Sequence, residues 1–149
     1  MSNLLILCIG IPGSGKSTWA AKYLDEHKAT VVISTDKLRE ELFGSAVCNP
    51  VQNPLVHAEA RRRARKALEE KKDVLVDSTN VDLSEWLAYK EISLPNTLRV
   101  AKVFNTTPSI AMQRMRERER KVPYDVVLVK WQTLQNNMQF LPYIFNFII

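Results

Sequence analysis

The sequence predicts an α/β fold in which helices cover both faces of a parallel β-sheet. Short apolar runs alternate along the chain with longer segments that have helical periodicity. Strands of a parallel sheet are buried on both faces, and they therefore read as nearly continuous apolar runs. Polar motifs follow directly after the first three runs, and the carboxyl ends of parallel strands form the edge where ligands bind. The motifs are therefore expected to converge at one edge.

The first part of the chain supplies two strands and two helices. Leu4–Ile9 is a continuous apolar strand, and a glycine-rich turn after it opens a helix over Gly15–His27. The β-branched run Thr30–Ser34 is the second strand, and Asp36–Phe43 is the helix that follows it. Glycine, asparagine and two prolines predict a loop over Gly44–Pro54.

The middle of the chain repeats the pattern of helix, strand and helix. Leu55–Glu70 is a predicted helix, Asp73–Asp77 the third strand, and Leu83–Ser93 the next helix. Small and apolar residues at helical spacing predict the buried stripe of the long helix: Val56, Ala60, Ala64 and Ala67.

The last part of the chain begins with the fourth strand, Leu98–Phe104. Pro108–Arg118 is a helix with proline in its first turn, where proline is favoured, and Pro123–Phe140 is another helix. The closing apolar run, Tyr143–Ile149, is predicted as the last strand. Five residues follow helical spacing near the end of the chain and are predicted to belong to the core: Val127, Trp131, Leu134, Met138 and Leu141.

Length and composition narrow the class of protein. The chain has 149 residues, which fits a single domain over 1–149 with one sizeable core. The apolar runs are too short for a membrane span, and the first residues are too short for a signal peptide. Cys8 and Cys48 lack metal-ligand spacing and are predicted to be reduced thiols of a cytoplasmic protein. The net charge of +5 favours a polyanionic partner, although a nucleotide site also recruits cations.

A phosphate-binding motif lies between the first strand and the first helix. It matches G-x-x-x-x-G-K-[ST], with a strand before it and a helix after it, as the motif requires. Backbone N–H groups and the helix N-terminus favour bound phosphate; Lys16 would reach the β- and γ-phosphates and Ser17 would bind Mg²⁺. The competing interpretation is a glycine-rich turn that caps a helix. The predicted phosphate-binding residues are Gly10, Pro12, Gly13, Ser14, Gly15, Lys16, Ser17 and Thr18.

Two further candidate positions follow the second and third strands. Asp36 and Arg39 are three residues apart and share a helix face. They could form an ordinary surface pair, or Asp36 could accept the proton of an attacking hydroxyl while Arg39 binds the acceptor through a phosphate. Asp77 could support Mg²⁺ through water or make a strand-end turn. Asn80 could contact substrate or close that turn.

An arginine-rich segment separates the last two predicted helices. It reads Arg114-Met-Arg-Glu-Arg118-Glu-Arg120-Lys and is followed by Val122-Pro123. One interpretation is a solvated helix end with Arg–Glu pairs. The other is a lid over about 114–123 that closes on ATP and brings an arginine to the transferring phosphoryl group.

Together these motifs resemble one family. "GIPGSGKSTWA", "STDKLREELFG", "VLVDSTN" and "RMRERERKVPYDVV" occur in this order. They are similar to the polynucleotide 5′-hydroxyl kinase domain of phage and bacterial RNA end-healing enzymes, and to related P-loop kinases, over nearly the whole chain. The resemblance implies a three-layer αβα P-loop fold of the kinase type, with a five-stranded sheet in the order 2-3-1-4-5 and an arginine-rich lid.

The resemblance also implies a role for each candidate residue. Lys16 and Ser17 keep the phosphate and Mg²⁺ roles, and Asp36 is the general base toward a 5′-hydroxyl. Arg39 binds the neighbouring phosphate of the acceptor. Arg118 is the lid arginine, with Arg120 as the substitute. Asp77 and Asn80 match an Asp-x-Thr-Asn pattern of related kinases.

Three functions remain open at this point. The first is transfer of the γ-phosphate of ATP, with Mg²⁺, to a 5′-hydroxyl end of RNA or DNA. The second is a kinase for a small molecule such as a nucleoside or sugar. The third is a P-loop ATPase or nucleotide switch. ATP is the expected nucleotide because the sequence has no Asn-Lys-x-Asp guanine signature.

Overall fold

The computed structural model describes residues 2–45, 49–117 and 122–149. Over these residues strands and helices alternate. The strands are β1 (Asn3–Ile9), β2 (Val31–Ser34), β3 (Val74–Asp77), β4 (Thr97–Val103) and β5 (Phe147–Ile148). The helices are α1 (Lys16–Glu26), α2 (Thr35–Phe43), α3 (Gln52–Glu69), α4 (Leu83–Ile92), α5 (Pro108–Met115), α6 (Tyr124–Asn137) and α7 (Leu141–Ile144), with a 3₁₀ turn over Met138–Phe140.

The sheet is five-stranded, parallel and ordered β2-β3-β1-β4-β5. This confirms the predicted fold class of a P-loop protein of the kinase type. The strand register brings the ends of three strands level, because Asp77 pairs with Ser34 on one side and with Cys8 on the other. The segments that follow β1, β2 and β3 therefore begin at the same edge of the sheet.

Side-chain alternation along β1 divides the core into two layers. Leu5, Leu7 and Ile9 belong to the larger layer, which also contains the buried faces of α3 and α4. Ile6 and Cys8 point to the other face and pack with residues of α1. The predicted alanine stripe of α3 is buried in the larger layer, as expected from its spacing.

Helix α3 begins three residues earlier than the sequence predicts. The side chain of Asn49 accepts hydrogen bonds from the backbone N–H groups of Val51 (3.0 Å) and Gln52 (2.8 Å), and the Gln52 side chain accepts one from the N–H of Asn49 (3.2 Å). This reciprocal arrangement is a capping box, which starts a helix firmly. Pro54 is the third residue of α3, and proline is tolerated within the first turn of a helix.

The C-terminal apolar run forms less strand than its composition predicts. The stretch predicted as one strand contains the end of α7 and only a two-residue strand. Pro142 lies in the first turn of α7, where proline is compatible with a helix. Ile144 and Phe145 fill the larger core layer instead of joining the sheet. Within the described ranges, no helix is both long and apolar enough to cross a membrane.

Candidate active site

The loop between β1 and α1 forms a cradle closed by its own lysine. Gly13 and Gly15 have φ of 80° and 97°, values that side chains rarely allow. The ammonium of Lys16 is buried and donates to the carbonyl of Ile11 (2.8 Å) and to Oγ of Ser14 (3.3 Å). The positive charge is thus fixed within the curl of the loop, at the N-terminus of α1, where anions are favoured.

The cradle packs closely against α5. A Cβ added to Gly13 would lie 2.6 Å from the carbonyl oxygen of Ala111. The guanidinium of Arg114, one turn further along α5, donates to the carbonyl of Gly13 at 3.4 Å. The phosphate loop is therefore braced by the helix that leads into the arginine-rich segment.

A hydroxyl and a carboxylate meet where β3 ends. Oγ of Ser17 donates to Oδ2 of Asp77 at 3.1 Å. Both side chains line the same cleft as Lys16. Serine and carboxylate oxygens are ligands that suit Mg²⁺. The chemistry of this donor pair fits an Mg²⁺ ion, which Ser17 and Asp77 would hold beside a nucleotide.

Asp36 lies in the first turn of α2, directly after β2. Ser34 caps this helix by accepting from the N–H of Lys37 at 3.4 Å. Oδ1 of Asp36 accepts a hydrogen bond from Arg39 at 2.8 Å, and the side chain of Asp36 is 58% exposed against 15% for Arg39. The second guanidinium nitrogen of Arg39 donates to Oδ1 of Asn53, at the start of α3, at 2.9 Å. The predicted pair is thus formed and is tied to a third residue.

A single cleft of about 750 Å³ contains these groups. Lys16 and Asp36 both line it, as do Ser17, Asp77 and Arg39. The remaining lining residues are Pro12, Gly13, Ser14, Gly15, Ser34, Thr35, Asn49, Pro50, Asn53, Ser78, Thr79, Met115, Val122, Val126 and Lys130. The cleft therefore brings together a phosphate cradle and a carboxylate that is paired with an arginine.

Three predicted residues lie outside the cleft lining. Gly10 donates its N–H to the carbonyl of Thr79 at 2.9 Å, and Thr18 is exposed on α1. Asn80 is buried; its side-chain amide donates to the carbonyl of Cys8 at 2.9 Å, and its backbone carbonyl accepts from the Trp86 indole. Asn80, which follows β3, is thus hydrogen-bonded to both β1 and α4.

The arginine prediction falls on residues that the structure does not describe. Arg118 and Arg120 lie in the segment 118–121, outside the described residues. Described residues on both sides of that segment, Met115 and Val122, line the cleft.

Sequence analysis gave no site role to several polar residues that line the cleft, among them Asn49, Asn53 and Lys130. Arg114, at the start of the predicted lid, contacts the phosphate loop. The Asn49-x-x-Gln52 spacing is a capping signal that could have located the start of α3, and with it Asn53. Lys130 carries no local signal, because only the packing of α6 brings it to this place.

Two titratable groups close to the site are held neutral by burial. Desolvation, together with the nearby charge of Asp77, raises the pKa of Cys8 to about 12. The thiol therefore packs as an apolar group behind the cradle. Burial lowers the pKa of His57 on α3, against the attraction of Glu85, whose carboxylate lies 3.6 Å from the ring. A neutral His57 is consistent with a structural role.

The fold and the cleft define a P-loop protein of the kinase type. The comparisons with known proteins agree with this class. The family model AAA_33, described as an AAA domain, matches residues 5–141, and the chain belongs to that family.

Solved structures share the fold at low sequence identity. A chain in the structure of the Pnkp1/Rnl/Hen1 RNA repair complex is 22% identical with a TM-score of 0.83, over 93% of this chain and 46% of that one. A gluconokinase from Sinorhizobium meliloti 1021 is 18% identical, with a TM-score of 0.61 over 91% and 76% of the two chains. A deoxyadenosine kinase from M. mycoides is 13% identical, with a TM-score of 0.56 over 97% and 88%. This chain thus spans less than half of the RNA repair protein that it matches.

Proposed function

We propose that the protein is a kinase that uses ATP and Mg²⁺ to phosphorylate the 5′-hydroxyl end of RNA or DNA. The observation that carries the proposal is that Lys16 and Asp36 line the same cleft. An alcohol bound between these two side chains would have a proton acceptor on one side and the terminal phosphate of a nucleotide on the other. The proposal includes one kinase domain over 1–149, with a lid over about 114–123.

The proposed step is an in-line transfer. Asp36 accepts the proton of the 5′-hydroxyl, whose oxygen forms the new bond to the γ-phosphorus. The bond between that phosphorus and the oxygen bridging to the β-phosphate breaks, and ADP leaves. Lys16 and an arginine of the lid, Arg118 or Arg120, stabilise the negative charge that develops. Bound Mg²⁺ supplies further charge neutralisation at the phosphates, and Ser17 and Asp77 would hold it.

The charges beside Asp36 support a phosphate-bearing acceptor. Of the described residues that line the cleft, the cations besides Lys16 are Arg39 and Lys130. Guanidinium groups suit phosphate oxygens, and Arg39 already lies next to the proposed base. A polynucleotide carries a phosphate close to its terminal hydroxyl, whereas a free sugar does not. The fold of the chain from the RNA repair complex is compatible with this acceptor.

The decisive experiment follows labelled phosphate. The protein is incubated with γ-labelled ATP, Mg²⁺ and a panel of acceptors that contains 5′-hydroxyl RNA and DNA oligonucleotides, nucleosides and sugars. We expect label on the 5′ ends of oligonucleotides and no label on oligonucleotides that already carry a 5′-phosphate.

Other results would identify other functions. Label on a nucleoside or sugar alone would favour a small-molecule kinase, for which the gluconokinase and deoxyadenosine kinase folds are the relevant likeness. Release of inorganic phosphate with no labelled acceptor would favour an ATPase or nucleotide switch. Either result would overturn the proposal.

A further inference from the structure

Arg39 is held from two different helices. One of its terminal nitrogens donates to Asp36, on its own helix α2, at 2.8 Å, and the other donates to Oδ1 of Asn53, on α3, at 2.9 Å. A long arginine side chain otherwise has considerable rotamer freedom, which is lost when it binds a ligand. In this structure the Arg39 side chain is only 15% exposed, and both of its terminal nitrogens are held by hydrogen bonds within the protein.

Asn53 is itself placed by the start of α3. It is the second residue of that helix, directly after the capping box formed by Asn49 and Gln52. Its backbone N–H donates to the carbonyl of Asn49 at 3.1 Å. The side chain of Asn53 therefore projects from a defined helix start into the cleft, where Asn49 and Pro50 also lie.

From this arrangement we infer that Asn53 is a positioning residue that presents Arg39 to the acceptor, an inference that rests on the proposed function. A guanidinium has five N–H donors, so bonds to Asp36 and Asn53 leave donors for a phosphate oxygen. Asn53 fixes the plane of the guanidinium, and through it the position of the acceptor hydroxyl relative to Asp36. In this role Asn53 takes no part in proton transfer and acts only by holding Arg39.

Kinetics of Asn53→Ala provide the first test. Hydrogen bonds to charged groups are worth enough that kcat/KM for a 5′-hydroxyl oligonucleotide should fall about 10-fold or more. The KM for ATP should stay at its wild-type value, because the phosphate cradle is untouched. Asn136→Ala removes an exposed asparagine of α6 outside the cleft and serves as the control. Equal losses for both substrates would overturn the inference.

A double-mutant cycle separates positioning from a general structural effect. If Asn53 acts through Arg39, then Asn53→Ala should cost nothing further in an Arg39→Ala protein. Losses that multiply independently would contradict the inference. Thermal melting of each variant shows whether the fold is retained.

The Nη hydrogens of Arg39, followed by NMR, report on positioning without any turnover. Restricted rotation should give them separate signals in the wild-type protein, and Asn53→Ala should merge the signals. Unchanged signals in Asn53→Ala would overturn the inference even if the wild-type protein phosphorylates 5′ ends. If the wild-type protein labels no 5′ end, the proposed function fails and so does the acceptor role of Asn53, whatever the signals show.

Discussion

The hydroxyl of Ser17 and the carboxylate of Asp77 lie 3.1 Å apart at the base of the cleft. If Asp77 binds Mg²⁺ through water, Asp77→Asn should raise the half-saturating Mg²⁺ concentration about 10- to 100-fold, the usual cost of losing an outer-shell partner. The measurement is phosphoryl transfer as a function of Mg²⁺ at saturating ATP. Asp82→Asn, an exposed carboxylate five residues further on, is the control. Identical Mg²⁺ dependence in Asp77→Asn and wild type would refute the metal role.

For individual residues, contacts within one helix could be predicted from the sequence, whereas contacts between helices could not. The spacing of Asp36 and Arg39 predicts their ion pair, because residues three apart share a helix face. It does not predict Asn53, whose partner lies 14 positions away and is reached only through the packing of α2 on α3. Asn80 belongs to a sequence motif of related kinases, but the motif does not predict its packing: its buried side-chain amide donates to the backbone of β1.

At the scale of elements, the contact between the phosphate loop and α5 can be tested with two glycines. Gly13 and Gly44 have similar positive φ, but a Cβ added to Gly13 would lie 2.6 Å from the Ala111 carbonyl oxygen, whereas one added to Gly44 would meet no atom of the described residues within 4 Å. Gly44→Ala should therefore cost about 1–2 kcal/mol of unfolding free energy, from backbone strain. Gly13→Ala should cost more and should also weaken ATP binding. Urea unfolding and nucleotide titration measure both effects, and equal behaviour of the two variants would contradict the close packing.

The capping box at the start of α3 makes a second prediction at this scale. Asn49→Ala should lower the free energy of unfolding by about 1 kcal/mol, the usual value of an N-cap. Gln52→Ala should lower it by less, and the double variant should lose less than the two single losses added, because the two side chains bond to each other's backbone. Gln113→Ala, an exposed glutamine on α5, is the matched control in the same denaturation assay. Strict additivity would argue against the reciprocal cap.

Most elements could be predicted because their apolar pattern agrees with their packing. The exceptions have physical causes that a pattern does not contain. The start of α3 depends on side-chain caps within a segment rich in turn-forming residues. The C-terminal run would be apolar whether its residues joined the sheet or packed into the core. Ile144 and Phe145 pack into the larger core layer, and this leaves only a short strand after them.

At the scale of the whole molecule, the parallel strand order explains why distant motifs meet. Ser34, Asp77 and Cys8 lie level across neighbouring strands, so the segments that follow them share one edge. This convergence could be predicted from the alternation of strands and helices alone. The arrangement of α6, which brings Lys130 into the cleft, could not, because it depends on tertiary packing.

The positive charges of the molecule predict how acceptor binding depends on salt. If Arg39 and Lys130 each contact a phosphate, log KM should rise with log salt concentration with a slope of about 1.4, since single strands contribute about 0.7 per contact. Lys130→Ala should reduce that slope by about half. Lys28→Ala removes an exposed lysine outside the cleft and should leave the slope unchanged. A KM independent of salt in the wild-type protein would point to a small neutral acceptor.

Whether Asp36 accepts the proton of the attacking hydroxyl is tested by measuring phosphate transfer and ATP binding in Asp36→Asn. The variant keeps the size of the side chain but cannot accept a proton, so turnover on a 5′-hydroxyl oligonucleotide should fall by about 10²–10⁴ while ATP binding is unchanged. Asp25→Asn, an exposed carboxylate of α1 that does not line this cleft, should behave as wild type. Wild-type turnover in Asp36→Asn would rule out this role, because the carboxylate beside Arg39 would then play no part in the transfer.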